Sequence, residues 1–275
     1  MTPPFETAYE TIVCDVPRPG IAWITLNRPS AMNAYTFCMC QELTAAIATY
    51  REDDALKVLV LTGAGKRAFC TGGDISGSDP EHREQVATQP MGHGREMREG
   101  MQAVVLALRR LDKPSVAMIR GYAVAGGLAL ATGCDLRLAG ASAKLGDTSG
   151  KAGLLPDEGG AWLFPRAMGL DRALKMTWLH EIYDAATAAS LGLVTEVVAD
   201  EALEARTLAL CQDLASRAPL ALRLVKMMMT GAAGSSLESS MNDAQMAVMI
   251  ANPSADVREG LTAFREKRSP RFTGR

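Results

Sequence analysis

Two glycine doublets mark places where the backbone itself is open to a ligand. The first, Gly72-Gly73, closes the run AFCTGGD at residues 68–74, and the second, Gly126-Gly127, lies within RGYAVAGGLALATGCD at residues 120–135. Without a Cβ, a glycine lets a bound group come close to the chain. Gly126 also falls where an apolar helix running to Cys134 begins, so its N–H and the helix dipole both favour a negative charge developing in front of it. Both doublets equally suit ordinary turns. A third segment, Leu155-Pro156-Asp157-Glu158-Gly159-Gly160, brings two carboxylates to the start of another helix. Asp157 has the type and place of an N-cap, whereas Glu158 reads as a solvated charge or one paired with the dipole.

Other chemistries find less support. The three histidines, His82, His93 and His180, are scattered, which argues against a Ser–His or Cys–His nucleophile pair. Cys38 and Cys40 form a CxC, but no nearby histidine or second cysteine pair completes a zinc set. The start, MTPPFETAYE, lacks the basic residues and apolar run of an export signal, so the six cysteines are expected to be reduced thiols of a cytoplasmic protein.

The elements that must hold the glycine turns follow from hydrophobic patterning. Residues 10–16 and 21–27 read as two strands joined by the turn Pro17-Arg18-Pro19-Gly20, and Thr36 is a plausible N-cap of a helix carrying Leu43, Ile47 and Tyr50. The continuous apolar run KVLVLT at 57–62 has the character of a strand covered on both faces. Residues 76–94 are polar and punctuated by Gly and Pro, which suggests a mobile loop, with a lid as its possible role. A helix through Met97, Met101, Val104, Val105 and Leu108 ends before Pro114, and the plan then repeats: a buried strand at 115–119, the second glycine turn, a short helix, a strand at 135–141. This recurrence suggests a coiled repeat of ββα units. Beyond Pro156 helices dominate, at 159–168, 171–179, 185–191, 201–217, 219–230, 235–250 and from 253 through Phe264, interrupted by a strand at 193–199. The fold class expected is α/β, with a spiral body over residues 1–200 and a helical region over 201–275. The methionine-rich faces, Met227 to Met229 and Met241, Met246 and Met249, read as core or subunit interface.

Bulk properties narrow the function classes. A net charge of −2 argues against a protein whose main work is gripping nucleic acid, and 48% hydrophobic with 22% charged residues is ordinary for a globular chain. No stretch approaches the roughly 18 uninterrupted apolar residues that a membrane span requires.

Taken together, AFCTGGDI, RGYAVAGGLALATGCDLRLA and AKLGDTSGKAGLLPDEGGAWLFPRAMG, with LNRPSAMNA before them, residues 188–194 and EGLTAFREKRSPRF after them, resemble the crotonase (enoyl-CoA hydratase/isomerase) superfamily over roughly residues 10–272. The resemblance implies a crotonase-like spiral of ββα units, an acyl-CoA substrate and an oxyanion hole of two backbone N–H groups, which by motif position are those of Gly73 and Gly126. Ala68, Gly72, Asp74, Ile75, Gly127 and Ser149 fall at substrate-binding positions by the same matching. Phe264 and Lys267 fall where the family covers the CoA nucleotide, often that of a neighbouring subunit in a trimer or dimer of trimers. Where the family's hydratases place two glutamates, this sequence has Ala129 and Ser149. Asp157 matches the position at which several isomerases and a dehalogenase branch carry a carboxylate. The implied reaction is therefore isomerisation of an enoyl-CoA with Asp157 as the single base. Hydration, thioester hydrolysis and a catalytically silent CoA-binding subunit remain as alternatives. Met101, Val105 and Trp162 are candidates to line the acyl pocket. No metal or redox cofactor is implied, since CoA arrives as part of the substrate.

Overall fold

Strands β1 (Ile12–Arg18) and β2 (Ile21–Leu26) pair antiparallel, with Ile12 opposite Leu26, and their inward residues alternate as the sequence pattern predicts. The computed structural model describes residues 5–76 and 80–275. After a 3-10 turn at Pro29–Ala31, helix α1 (Phe37–Glu52) begins at the expected cap, where the Thr36 hydroxyl accepts from the Met39 N–H at 3.2 Å. Next come β3 (Val58–Gly63) and β4 (Ala68–Cys70), both wholly buried.

The segment expected to be a loop is largely helical: α2 (Pro80–Thr88) and α3 (Gly92–Glu99) occupy it, and residues 77–79 lie outside the described residues. Its few apolar positions hid the helical period, while Pro at the first position and the Glu, Arg and Gln that follow favour helix. The single helix expected from Met97 to Leu108 is broken at Gly100, so that α4 (Met101–Arg109) stands as a separate element.

The chain continues through β5 (Ser115–Ile119), β6 (Tyr122–Val124), α5 (Gly126–Gly133), β7 (Leu136–Gly140) and β8 (Lys144–Gly146). A 3-10 turn at Ser149–Ala152 leads to α6 (Gly160–Met168), α7 (Leu170–Leu179), β9 (Ile182–Asp184), α8 (Ala185–Ser190) and β10 (Glu196–Val198). Helices α9 (Leu203–Ser216), α10 (Pro219–Ala232), α11 (Leu237–Ala251) and α12 (Ala255–Glu266) complete the chain.

The strands divide between two sheets in a pattern that explains the site. A six-stranded sheet runs β1-β2-β3-β5-β7-β10, parallel except for its first pair. A four-stranded sheet runs β4-β6-β8-β9, and its first three strands are parallel. The successive pairs β3–β4, β5–β6 and β7–β8 thus each give a longer strand to the large sheet and the next, short one to the small sheet. The doublet Gly72-Gly73 follows β4, Gly126 follows β6 and Ser149 follows β8, so three functional candidates emerge from the same ends of three neighbouring parallel strands. Ligand sites form at such strand ends in open α/β sheets.

The core lies on both faces of the large sheet. On one, α1, α4, α5 and α6 supply Leu43, Val104, Leu128 and Phe164 to a cluster with Ile24 and Leu61. On the other, Leu203 and Cys211 of α9 pack on Val58, Val60, Val116 and Leu138. Burial on both sides is what the unbroken apolar strand at 58–63 requires. The methionine faces lie outside this core: Met227, Met229, Met241, Met246 and Met249 are exposed on α10 and α11. Among the described residues no helix is long and apolar enough to cross a membrane.

Candidate functional site

The first glycine turn is held by Tyr35. Its N–H donates to the Gly72 carbonyl at 2.9 Å and its own carbonyl accepts from the Asp74 N–H at 2.9 Å, which makes a parallel bridge between Tyr35 and Gly73. In that pattern the flanking residues carry both bonds, so the Gly73 N–H faces away from Tyr35, and no described residue accepts from it. Gly72 adopts φ +93°, a conformation that strains any residue with a Cβ. Arg28 ties the end of the turn through a 2.8 Å ion pair with Asp74, whose other oxygen accepts from Ser76. Ile75 is exposed.

The second turn is set by β6. The Ala125 N–H bonds the Gly146 carbonyl at 3.1 Å, and Ala125 takes the unusual φ 50°, ψ −130° that turns the chain abruptly into α5. Gly126 is the first residue of that helix, its N–H is likewise without an acceptor among the described residues, and the helix dipole points its positive end there. The two turns touch: a Cβ on Gly72 would stand 3.4 Å from the Gly126 nitrogen. Gly127 backs onto the Cys70 carbonyl too closely for any side chain, so it serves the packing between turn and helix. Ala68 is buried, and its carbonyl accepts from the Asn33 side-chain amide at 2.8 Å, a structural use.

The carboxylate that meets these turns is Glu158. It is only 7% exposed, its Oε1 accepts from the Tyr35 hydroxyl at 2.6 Å, and a Cβ built on Gly126 would run into that same oxygen. The expectation that Glu158 is a solvated charge is overturned. Asp157 is exposed, and the part of it the structure engages is its carbonyl, which accepts from the Gln102 side chain at 2.8 Å. Nor is Asp157 the N-cap. That place belongs to Gly159 at φ +121°, and the turn it closes, rather than a first helical turn, directs Glu158 inward. Burial pushes the Glu158 carboxyl above the usual carboxylate range. The Tyr35 hydrogen bond and a backbone N–H pull it back, and the charges of Asp157 and Asp147 push it up again.

At the two positions matched to the hydratase glutamates, Ala129 is fully buried within α5, and Ser149 is buried with its hydroxyl donating to Asp147 Oδ1 at 2.7 Å. Asp147 is 1% exposed, and its second oxygen is buried with no hydrogen-bond partner among the described residues. Val105 packs near Gly159, and Met101 is buried beside it on α4. Trp162 is turned outward, with the Arg166 guanidinium 3.8 Å and that of Arg109 5.6 Å from its ring centroid. Phe264 is 84% exposed and Lys267 caps α12 in the left-handed conformation; among the described residues no hydrogen bond or ion pair joins either to the glycine turns. No cluster of three His, Cys, Asp or Glu side chains able to hold a metal occurs among the described residues.

Tyr35 and Asp147 are the functional candidates that sequence reading missed. Tyr35 sits in no glycine motif, and its one signal is an aromatic residue directly before the Thr36 cap. Two turns meeting at free N–H groups beside a buried carboxylate can polarise a carbonyl and accept a proton from the carbon next to it. Comparison with known proteins gives the family. The family model described as enoyl-CoA hydratase/isomerase matches residues 18–275. The chain is 36% identical to (E)-benzylidenesuccinyl-CoA hydratase of Thauera aromatica, over 92% of this chain and 96% of that protein. It is 35% identical to 1,2-epoxyphenylacetyl-CoA isomerase of Escherichia coli K12, over 93% and 96%. An enoyl-CoA hydratase crystal structure from Bacillus anthracis superposes with a TM-score of 0.89 at 29% identity, covering 97% of this chain and all of that one.

Proposed function

Since the chain belongs to the enoyl-CoA hydratase/isomerase family, we propose that it isomerises an enoyl-CoA through an oxyanion-stabilised enolate, with Glu158 as the single carboxylate base. In this reading the thioester oxygen lies between the N–H groups of Gly73 and Gly126. Glu158 removes an α- or γ-proton, the electron pair moves onto the thioester oxygen, and Glu158 returns the proton at the other end of the allylic system. One base on one face suffices for such a transfer. The observation that carries the reading is the burial of Glu158 against Gly126. Its raised pKa suits a group that must both take up and give back a proton near neutral pH. Loss of one oxyanion donor typically costs about 10²–10³ in rate, and loss of the base about 10²–10⁴.

Hydration is the second reading, and one feature favours it. The Ser149 hydroxyl is committed as donor to Asp147 Oδ1, which leaves its lone pairs free to accept from a water poised for addition. For either reaction the reacting groups are protein side chains and backbone, and CoA enters with the substrate. We also propose that the chain works as a trimer or dimer of trimers. The exposed apolar residues of α10 and α11 support this, with Phe264 and Lys267 available to cover a neighbour's CoA nucleotide.

A panel of 2-enoyl- and 3-enoyl-CoA thioesters incubated in D2O and followed by mass separates the readings. Deuterium uptake with double-bond migration and no added water supports isomerisation. Gain of water supports hydration, release of free CoA a hydrolase, and binding without change a silent subunit.

A further inference from the structure

Tyr35 touches every part of the proposed machinery at once. Its backbone holds the 72–74 turn, and a Cβ on Gly73 would lie 3.4–3.5 Å from its ring. Its hydroxyl stands 2.6 Å from Glu158 Oε1 and 2.7 Å from where a Cβ on Gly126 would be. The residue is half-buried and has little freedom to leave. Asn33, just before it in the chain, is fully buried at φ 55°, with its side chain donating to the Ala64 and Ala68 carbonyls and accepting from the Arg28 N–H.

We propose that Tyr35 is a third donor to the oxyanion, switched by the base: its O–H pairs with the Glu158 carboxylate before proton abstraction and with the enolate oxygen after it. The inference rests on Glu158 being the base. In the step itself the substrate C–H bond breaks and its proton passes to a Glu158 oxygen. The electron pair enters the new C=C of the enolate, and the thioester carbonyl becomes an oxyanion; nothing leaves. The negative charge has then moved from Glu158 to the oxygen that this reading assigns to the Gly126 N–H, and the Tyr35 hydroxyl lies 2.7 Å from where a Cβ on that same residue would be. Hydrogen bonds to a charged acceptor are roughly twice as strong as neutral ones, so the O–H follows the charge. The bond to the enolate oxygen forms only as the substrate becomes charged, and it takes the place of the bond that the hydroxyl makes to Glu158 in the ground state, so the oxyanion gains a donor that the neutral carbonyl lacks. Burial and the Glu158 charge push the Tyr35 phenol well above its usual range, which keeps it protonated as a donor throughout. The other groups acting on Glu158 are Asp157 and Asp147, and the thiols of Cys40 and Cys70 lie close enough to feel its charge.

The test is Tyr35→Phe in the full chain, which keeps the ring packed on Gly73 and removes only the hydroxyl. Its kcat, KM and pH profile on an exchanging acyl-CoA are compared with those of wild type, Glu158→Gln and the double variant. Expected are a fall in kcat of about 10²-fold, a KM within about threefold, and an acidic limb displaced to higher pH, because the hydrogen bond that favoured ionised Glu158 is gone. The double variant is expected to be no slower than Glu158→Gln alone. Wild-type kcat in Tyr35→Phe, or a slower enzyme whose acidic limb has not moved, overturns the switch while leaving Glu158 in place. Full turnover in Glu158→Gln overturns the underlying assignment instead.

Discussion

Gly72 faces the amide of Gly126 so closely that a Cβ on the former would stand 3.4 Å from the nitrogen of the latter, although three helices and two strands separate them along the chain. The contact exists because β4 and β6 are parallel neighbours whose ends release both turns at one level. Gly72→Ala should disturb it twice, through φ +93° and through a methyl 3.1 Å from Ala125 Cβ. We expect a loss of about 1–3 kcal/mol in stability by denaturant unfolding, with turnover falling alongside.

Gly126→Ala separates the site from the scaffold. Gly126 is not in the left-handed region, so the backbone accepts alanine, but the methyl enters the space of Glu158 Oε1 and the Tyr35 hydroxyl. Steady-state turnover should fall by about 10²–10³, with far-UV circular dichroism unchanged.

Asn33→Ala tests the support beneath Tyr35. It removes three hydrogen bonds to backbone groups at a buried residue held at φ 55°. About 3 kcal/mol should be lost, a drop in Tm of roughly 6–12 °C, measurable by thermal melting.

How far the sequence foretold this site depends on what each feature rests on. The strand at Val58–Gly63, the Thr36 cap and the two glycine turns rest on local patterning, and they stand in the structure where the sequence puts them. Tyr35 was invisible because its role is made by a bridge to Gly73 and a bond to Glu158, both distant in sequence. Which of Asp157 and Glu158 faces inward was decided by the φ +121° of Gly159, a conformation that any turn glycine permits and no spacing reveals. The helix at Pro80–Thr88 and the start of the one at Gly92–Glu99 read as loop because residues 76–94 carry no apolar stripe at helical spacing.

Glu158 should cost the protein stability at neutral pH. Its folded pKa is raised, so the native state holds this proton more tightly than the unfolded chain does. The resulting stabilisation is present below the ordinary glutamate range and is lost as pH rises through the folded value. Glu158→Gln is therefore expected to be more stable than wild type at pH 7, with the gap closing on acidification, as followed by urea midpoints across pH.

The most direct test is deuterium incorporation at the acidic carbon of an acyl-CoA in D2O, measured by mass for wild type, Glu158→Gln and Asp157→Asn. The account predicts that exchange falls at least about 10²-fold in Glu158→Gln and stays within about threefold of wild type in Asp157→Asn. The reverse pattern, with exchange lost in Asp157→Asn and kept in Glu158→Gln, would contradict it.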